Sequence, residues 1–453
     1  MGKRGQAAGF KAGVAEVDIS PPLGVQIVGY PTVIRPNTGI HDPLFAGCLV
    51  FDDGRTRIAV ITADLVYFEK DFVRRFRAVV EGDTGIPASH LLMCCSHTHA
   101  GPRVATRLFD EEVAMGGRVE SAYLATLMER LRGLVKRAAA GLRPARIGFG
   151  AGRAGAEKGI GGNRHDPAGP ADPAVKVIGV QDEAGEWMAV LVKYSLHPTI
   201  LQMGNTLVSA DYPWGIRALM KERHPRATFF FAQGATGDQS SRYFRKGQTF
   251  EEAERFGRII GEEADRVLAA LQWAREPVLG ATSVEVEPVW KDIPPIPELE
   301  ERIARYWKEL HELEARGAPY VPQQTCYLDR LGTELTLGMA RCHAKGQKAP
   351  WEYEAPLEVQ ALRIGDVPGG ADACIVGVAG ESFVEYTLAI EKGSPFAHTY
   401  VFTVANGMSP GYVVDEASAE KRLFEYGASM MKPETGERIL AAAARLTVEL
   451  QAR

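Results

Sequence analysis

The chain has 453 residues, of which 45% are hydrophobic and 24% charged, and its formal net charge is −5. This is the composition of an ordinary globular protein, and without a long run of one charge it argues against a nucleic-acid partner. No apolar run approaches the ~18 residues of a membrane-spanning helix, and the N-terminus lacks a secretory hydrophobic segment, so we expect a cytoplasmic protein.

Strand-like and helical segments alternate along the chain, which is typical of an α/β layer architecture. In chain order the first half predicts a strand at 58–65, a helix at 68–82, a strand at 90–95, a helix at 119–140 and strands at 187–196 and 228–233. The second half predicts helices at 249–273 and 296–315, short strands beginning at 374 and 400, and a terminal helix at 433–452. Residues 320–355 are ambiguous. We expect an α/β fold in which a layered sandwich of mixed β-sheets is flanked by helices.

The length also bears on domain organisation. A single core stops growing at roughly 250–300 residues, so the chain requires either two lobes or one unusually large layered domain. We predict one large domain over residues 1–453, with a helical excursion at about 296–350.

The strand predicted at 90–95 leads into the motif Ser-His-Thr-His-Ala-Gly-Pro at residues 96–102. Because residues i and i+2 of an extended segment point the same way, His97 and His99 are predicted to face one cavity. The motif alone leaves two interpretations open. The pair either serves a metal or acid–base site, or consists of two histidines held by hydrogen bonds in a loop.

At least five predicted strands end on a group that could bind a metal or act in catalysis. These groups are the His97/His99 pair, His197, the loop with Asp238 and Ser240, Glu381, and the loop from Asn406 to Tyr412. In α/β sheets, sites assemble beyond the carboxyl ends of strands. If these ends converge, two imidazoles, a carboxylate and a phenol suit Zn²⁺ and leave a position for water or substrate. The sequence therefore predicts a metal site at the C-terminal ends of strands.

The same residues belong to a longer pattern of nine pieces in a fixed order. The pieces are Gly13-Val-Ala-Glu-Val-Asp-Ile-Ser-Pro, the Gly29-Tyr30 and Gly39-Ile40 turns, the 96–102 motif, Asn163-Arg164, His197-Pro-Thr, Ser209-Ala-Asp-Tyr, Gly237-Asp-Gln-Ser, Gly380-Glu381, and Ala405-Asn-Gly with Tyr412. In these pieces the chain resembles the neutral/alkaline non-lysosomal ceramidase family over nearly its whole length. The resemblance implies the family's catalytic domain without its C-terminal immunoglobulin-like domain.

The resemblance also implies residue roles. The ligands of one zinc ion per chain would be His97, His197, Glu381 and Tyr412. The catalytic residues would be His99 as a substrate-facing acid or base, Arg164 at the site, Ser240 as nucleophile or partner of the attacking water, and Tyr426 at the oxyanion. The last assignment meets a change of order, because the family has Tyr-Glu where this chain has Glu425-Tyr426. Substrate binding is expected from Asn163, Asp238 and Arg242.

These roles predict a zinc-dependent hydrolase of an amide bond in a small or amphiphilic acyl substrate. The family has proline after the serine, whereas this chain has Ser241-Arg242, followed by Arg245 and Lys246. Such positive charge favours an anionic substrate over a sphingoid chain. One alternative is an esterase, lactonase or other C–O hydrolase on a small polar or anionic substrate, and another is a non-catalytic binding protein. A homo-oligomer is kept as an alternative to a monomer.

Overall fold

Two mixed β-sheets face each other in the computed structural model, which describes residues 9–30, 33–107, 121–366 and 371–452. The first strands in chain order are β1 (Lys11–Asp18), β2 (Gly39–Ile40), β3 (Phe45–Asp52), β4 (Arg57–Ala63), β5 (Leu91–Cys95), β6 (Arg143–Arg153), β7 (Gly162–Asn163), β8 (Ala174–Asp182) and β9 (Trp187–Tyr194). They are followed by β10 (Leu207–Val208), β11 (Thr228–Gln233), β12 (Gln239–Ser240), β13 (Gln272–Trp273), β14 (Val278–Val286), β15 (Leu357–Gly365), β16 (Asp372–Val378) and β17 (His398–Phe402).

Helices connect and cover these strands. In chain order the described α-helices are α1 (Lys70–Thr84), α2 (Ser121–Ala140), α3 (Tyr212–Arg223), α4 (Phe250–Leu268), α5 (Ile296–Ala315), α6 (Tyr320–Ala344), α7 (Val384–Gly393), α8 (Glu416–Glu420), α9 (Phe424–Gly427) and α10 (Glu434–Gln451). None of these described helices combines the length and the hydropathy that a membrane span requires.

The larger sheet has the strand order β11-β9-β8-β6-β1-β3-β4-β5, with β13 also paired to β6. The smaller sheet has the order β14-β15-β16-β17. Three pairs within these sheets are parallel, namely β4 with β5, β9 with β11, and β16 with β17. Of these paired strands, β5, β9 and β16 lead directly into His97, His197 and Glu381. Both sheets are therefore mixed, as the sequence predicted.

Alternation along the strands divides the core into layers. In β3, Cys48 packs with the cluster that includes α1 and α2, whereas Leu49 packs between the two sheets. In β16, Ile375 joins the same inter-sheet cluster and Val376 packs against α7 and α10. Neighbouring residues point to opposite faces because the side-chain period of a strand is two. The fold thus has four layers in the order helices, sheet, sheet, helices. This confirms the predicted layered sandwich.

The segment that was ambiguous in sequence is largely helical. Helix α6 covers residues 320–344, and it packs against α5 through a cluster containing Leu299, Leu337 and Ala340. Both helices lie within the predicted excursion at 296–350, although the assignment of one domain to the whole chain stays a prediction. The predicted helix at 119–140 is confirmed from Ser121 onward, and its first two residues lie outside the described residues.

Candidate metal centre

Three imidazole rings from two loops meet at one point. His97 and His99 follow β5, and His197 follows β9. The Nε2 atom of His99 lies 2.9 Å from Nε2 of His197 and 3.5 Å from Nε2 of His97. Ligand atoms held at about 2.0–2.1 Å around a tetrahedral zinc ion are about 3.3 Å apart. The spacing of the three nitrogens therefore fits one shared cation.

The backbone places His97 by an unusual conformation. Its φ angle is 65°, in the left-handed region that few residues other than glycine adopt. In this conformation His97 N donates to Leu65 O at 2.9 Å, and His97 Nδ1 lies 2.8 Å from Val66 O. The two histidines of the motif do face one cavity, but the reason given from sequence was wrong, because residues 96–99 are not a regular extended segment. Strain of this kind is concentrated at functional sites.

Glu381 adds a carboxylate to the three rings. Its Oε2 atom lies 3.3 Å from His97 Nε2 and 3.8 Å from His197 Nδ1. This oxygen is buried and has no hydrogen-bond partner in the described part of the chain. A buried carboxylate oxygen without a donor is costly. A cation held between Glu381 and the imidazoles would satisfy it, so the residues present fit a metal ion.

The charge state of the rings is compatible with metal binding. Burial, with added repulsion from neighbouring imidazole and guanidinium groups, lowers the pKa of His99 well below its usual value. Burial and the positive charge of Arg164 lower the pKa of His197 in the same way. Both rings are therefore neutral at ordinary pH. Neutral imidazole is the form that donates a lone pair to a metal.

A buried hydrogen-bond network lies at the Nδ1 side of the His197 ring. His197 Nδ1 lies 3.0 Å from Thr236 O and 2.5 Å from Arg164 Nη2. Arg164 Nη1 donates to Glu425 Oε1 at 2.8 Å, and His165 Nε2 lies 2.9 Å from the other Glu425 oxygen. Burial alone would raise the pKa of Glu425, but the hydrogen bond with His165 and the charge of Arg164 outweigh it and lower that pKa to about 2. Arg164 and Glu425 thus form a buried pair in which both groups are ionised.

The cluster lies at a cavity of about 440 Å³, within the range of small-molecule sites. Of the residues predicted for the site, those that line the cavity are His97, His99, Arg164, His197, Ser240, Arg242, Glu381 and Tyr412. One wall is formed by α6, whose lining residues recur every three or four positions: Tyr320, Gln324, Leu328, Leu331 and Leu335. This spacing is that of a single helix face. The cavity therefore joins the polar cluster to an apolar wall.

Tyr412 and Ser240 occupy different places around the cluster. Burial and the nearby Glu381 carboxylate raise the pKa of the Tyr412 phenol well above its usual value, and its hydroxyl also interacts with Arg164. A cation beside Tyr412 would be needed to lower that pKa. Ser240 is held by the pairing of β12 with β7, and its Oγ accepts from Arg242 N at 3.2 Å. Among the described residues no histidine or carboxylate is hydrogen-bonded to this hydroxyl.

Three predicted site residues do not line the cavity. The ring of Tyr426 lies against Lys291, whose Nζ is 4.1 Å from the ring centroid. Asn163 Nδ2 donates to Asp238 Oδ2 at 2.9 Å, and Asp238 Oδ1 accepts from Val384 N at 2.9 Å. The roles predicted for these three residues stay predictions, and their positions have a simple cause. In the short helix α9, successive residues point in different directions, so Glu425 rather than Tyr426 reaches Arg164, and Asn163 and Asp238 tie two loops together.

Comparison with known proteins gives one family. Residues 10–243 match the model of the family described as neutral/alkaline non-lysosomal ceramidase, N-terminal. The neutral ceramidase of Pseudomonas aeruginosa is 22% identical over 215 residues, which is 45% of this chain and 32% of that protein. The alignment thus spans about a third of the length of this relative.

Solved structures with the same fold extend the similarity over almost the whole chain. The crystal structure of neutral ceramidase from Pseudomonas aeruginosa matches with a TM-score of 0.74 and 18% identity, covering 98% of this chain and 75% of the other. A ceramidase complexed with C2 matches with a TM-score of 0.72 and 16% identity, covering 98% and 76%. At these identities the likeness establishes a shared fold.

Proposed function

Because the chain belongs to the neutral/alkaline non-lysosomal ceramidase family, we propose that it is a zinc-dependent hydrolase that cleaves the amide bond of a small or amphiphilic N-acyl substrate. The observation that carries this proposal is the convergence of the Nε2 atoms of His97, His99 and His197 with the unsatisfied Oε2 of Glu381 at one cavity. Imidazole nitrogen and carboxylate oxygen are donor types that zinc binds.

The proposed ligands of the ion are His97, His197, Glu381 and Tyr412. When bound, the ion would supply Lewis acidity for the acyl carbonyl and lower the pKa of a water molecule toward ~7. The hydrogen bond between His97 Nδ1 and Val66 O leaves His97 Nε2 free for this purpose.

The network at the Nδ1 side of His197 supports a role for Arg164 in binding the reacting carbonyl. If a metal binds His197 Nε2, the proton of this neutral ring must be on Nδ1. The Nδ1–H group then donates to Thr236 O and not to Arg164, because a guanidinium has no acceptor atom. Arg164 stays paired with Glu425 through Nη1, and its Nη2, which lies 3.4 Å from Thr236 O, carries the N–H group that would turn to the substrate oxygen. We propose that this N–H group stabilises the oxyanion that develops during hydrolysis.

His99 is proposed to carry the proton. Its Nε2 atom lies beside the Nε2 atoms of both other imidazoles and lines the cavity. It would take a proton from the attacking water and deliver it to the departing amine. A nucleophilic serine needs a base within hydrogen-bond reach. Because no described base contacts Ser240 Oγ, we assign Ser240 as a partner of the attacking water.

Metal analysis and a substrate panel test this function together. The purified protein should contain close to one zinc ion per chain, and it should hydrolyse N-acyl amides in a reaction that a chelator abolishes. The panel should also include esters and lactones, because the same site could serve a C–O hydrolase. Turnover of esters or lactones alone would favour that alternative, and full amide turnover by the metal-free protein would contradict the proposal.

A further inference from the structure

Arg242 is a cation on the cavity wall with no ion-pair partner among the described residues. Its backbone N–H donates to Ser240 Oγ, but its guanidinium forms no hydrogen bond or ion pair with any described residue. The acids whose charge reaches it are Glu425, which is already bound by Arg164, and Asp329, which forms no ion pair with it. A guanidinium without a hydrogen bond or ion pair at a cavity wall is able to bind an anion.

Arg245 lines the same cavity, and its side-chain hydrogen-bond partners among the described residues are neutral. Its Nη1 donates to Thr199 O at 2.9 Å, and its Nη2 donates to Tyr320 Oη at 2.8 Å. A turn in which Arg245 N donates to Ser241 O at 2.9 Å follows β12 and carries both Arg242 and Arg245. The turn thus presents two positive charges that no described carboxylate neutralises by an ion pair.

This turn is tied to the loop that carries His197. Gln239 O, in β12, accepts from His197 N at 3.1 Å, and Arg245 holds Thr199, two residues after His197. Two residues of chain span at most about 7 Å. Arg245 and His197 are therefore held by the same two loops at one cavity.

The apolar part of the cavity indicates where the acyl chain binds. Leu328, Leu331 and Leu335 of α6 line it, together with Met408 and Phe424. Removing a hydrocarbon chain from water is favourable against such a surface. With the chain placed there, the charged group belongs to the amine side of the amide.

We propose that the Arg242–Arg245 turn is a subsite for an oxyanion carried by the amine part of an N-acyl amide, a carboxylate or a phosphonate. This inference rests on the proposed hydrolase function. In the reaction the amide C–N bond breaks, a C–O bond forms with the oxygen of water, and a proton passes to the released amine. No further reactant is required. Two guanidinium groups bind either oxyanion through charge-assisted hydrogen bonds.

The test compares substrates that differ only in this charge. We would measure kcat/KM for N-octanoylglycine, N-octanoylaminomethylphosphonate and the neutral N-octanoylglycinamide with the wild-type holoenzyme. At least one anionic substrate should exceed the neutral one by about tenfold or more, as expected for a charge-assisted contact. The Arg242→Gln variant should lower this ratio severalfold. The matched control Arg55→Gln removes an exposed arginine in the turn between β3 and β4 and should leave the ratio unchanged.

Binding of uncleavable analogues separates the subsite from the reaction. N-octanesulfonylglycine and its neutral carboxamide would be titrated by calorimetry into the wild-type protein and into Arg242→Gln. Tighter binding of the anion by the wild type, reduced in Arg242→Gln, supports the subsite even if no amide is hydrolysed, in which case only the proposed function fails. Amide turnover and analogue binding without any preference for the anion would overturn the subsite and leave the proposed function standing.

Discussion

The carboxylate of Glu425 accepts a hydrogen bond from the guanidinium of Arg164 at 2.8 Å, and the two side chains are only 0% and 8% exposed. Removing one partner of a buried ion pair leaves the other charge uncompensated. We therefore predict that Glu425→Gln lowers the free energy of unfolding by about 3–5 kcal/mol. Urea denaturation followed by circular dichroism would measure this change.

Two further variants test whether the loss of stability comes from the ion pair between Arg164 and Glu425. Glu420→Gln changes an exposed glutamate of α8 with no ion pair among the described residues, and it should alter stability by less than about 0.5 kcal/mol. The double variant Arg164→Gln with Glu425→Gln should recover part of the lost stability. Equal stability of Glu425→Gln and the wild type would show that the pair does not compensate a buried charge.

His99 should separate metal binding from catalysis. If only His97 and His197 of the three imidazoles are ligands, His99→Ala keeps close to one zinc ion per chain but loses kcat/KM by about 10²–10⁴-fold, the range for a general acid or base. His97→Ala should lose both the zinc and the activity. Metal analysis beside kinetics measures the two effects.

His311→Ala, on the exposed side of α5, serves as the control and should retain both properties. Loss of zinc from His99→Ala would instead identify His99 as a ligand. That result would favour a site built from the three imidazoles, in which the Nε2 atom of His99 lies 2.9 Å from that of His197 and 3.5 Å from that of His97.

Some of the site could be predicted because its residues follow strand ends. His97, His197 and Glu381 each come directly after a buried strand, and strand ends are readable as apolar runs. The partner of Arg164 could not be predicted in this way. Glu425 is 261 residues away in sequence, and nothing in the local pattern around it distinguishes an inward acid from an exposed one. Only the packing of α9 decides that Glu425 points inward.

Strand β6 shows a second limit. Gly148, Gly150 and Gly152 alternate along it, so it has only one of the β-branched residues by which a strand is usually identified, Ile147. Gly150 and Gly152 leave room for α4, which packs closely on this strand, and Gly148 leaves room for Leu271 and Trp273 just beyond it. A Cβ atom added at Gly150 would lie 2.7 Å from the side chain of Val267. Glycine is required by the contact between the strand and the helix, so the sequence of the strand alone does not show why it is there.

Acid should weaken the contact between β6 and α4. Glu263 accepts from Arg153 N at 2.8 Å and binds Lys158 and Arg266, and these contacts, the one with Arg266 foremost, lower the pKa of Glu263 to about 2. Because this pKa is below the value of the unfolded chain, the carboxylate stabilises the fold above pH ~4.5. The stabilisation is lost as the pH falls from about 4.5 toward 2.

The Glu263→Gln variant should therefore lose less stability than the wild type between about pH 5 and pH 3, and thermal melting across this range measures the difference. Glu254→Gln is the matched control on the same helix, because its side chain is 52% exposed and its ion pair with Arg258 is long, at 3.7 Å. It should keep the slope of the wild type. Identical slopes for all three proteins would contradict the assignment.

Helices α3 and α4 cross where two glycines meet. A Cβ atom added at Gly257 would lie 2.6 Å from Gly215 Cα and 2.7 Å from Ile216 N, and backbone atoms cannot yield as a flexible side chain can. We predict that Gly257→Ala lowers the free energy of unfolding by at least about 2 kcal/mol. Gly82→Ala, at an exposed position of α1 where an added Cβ would meet no atom within 4 Å, should raise it by about 0.5–1 kcal/mol. Stabilisation by both substitutions would mean that the helices are not in backbone contact.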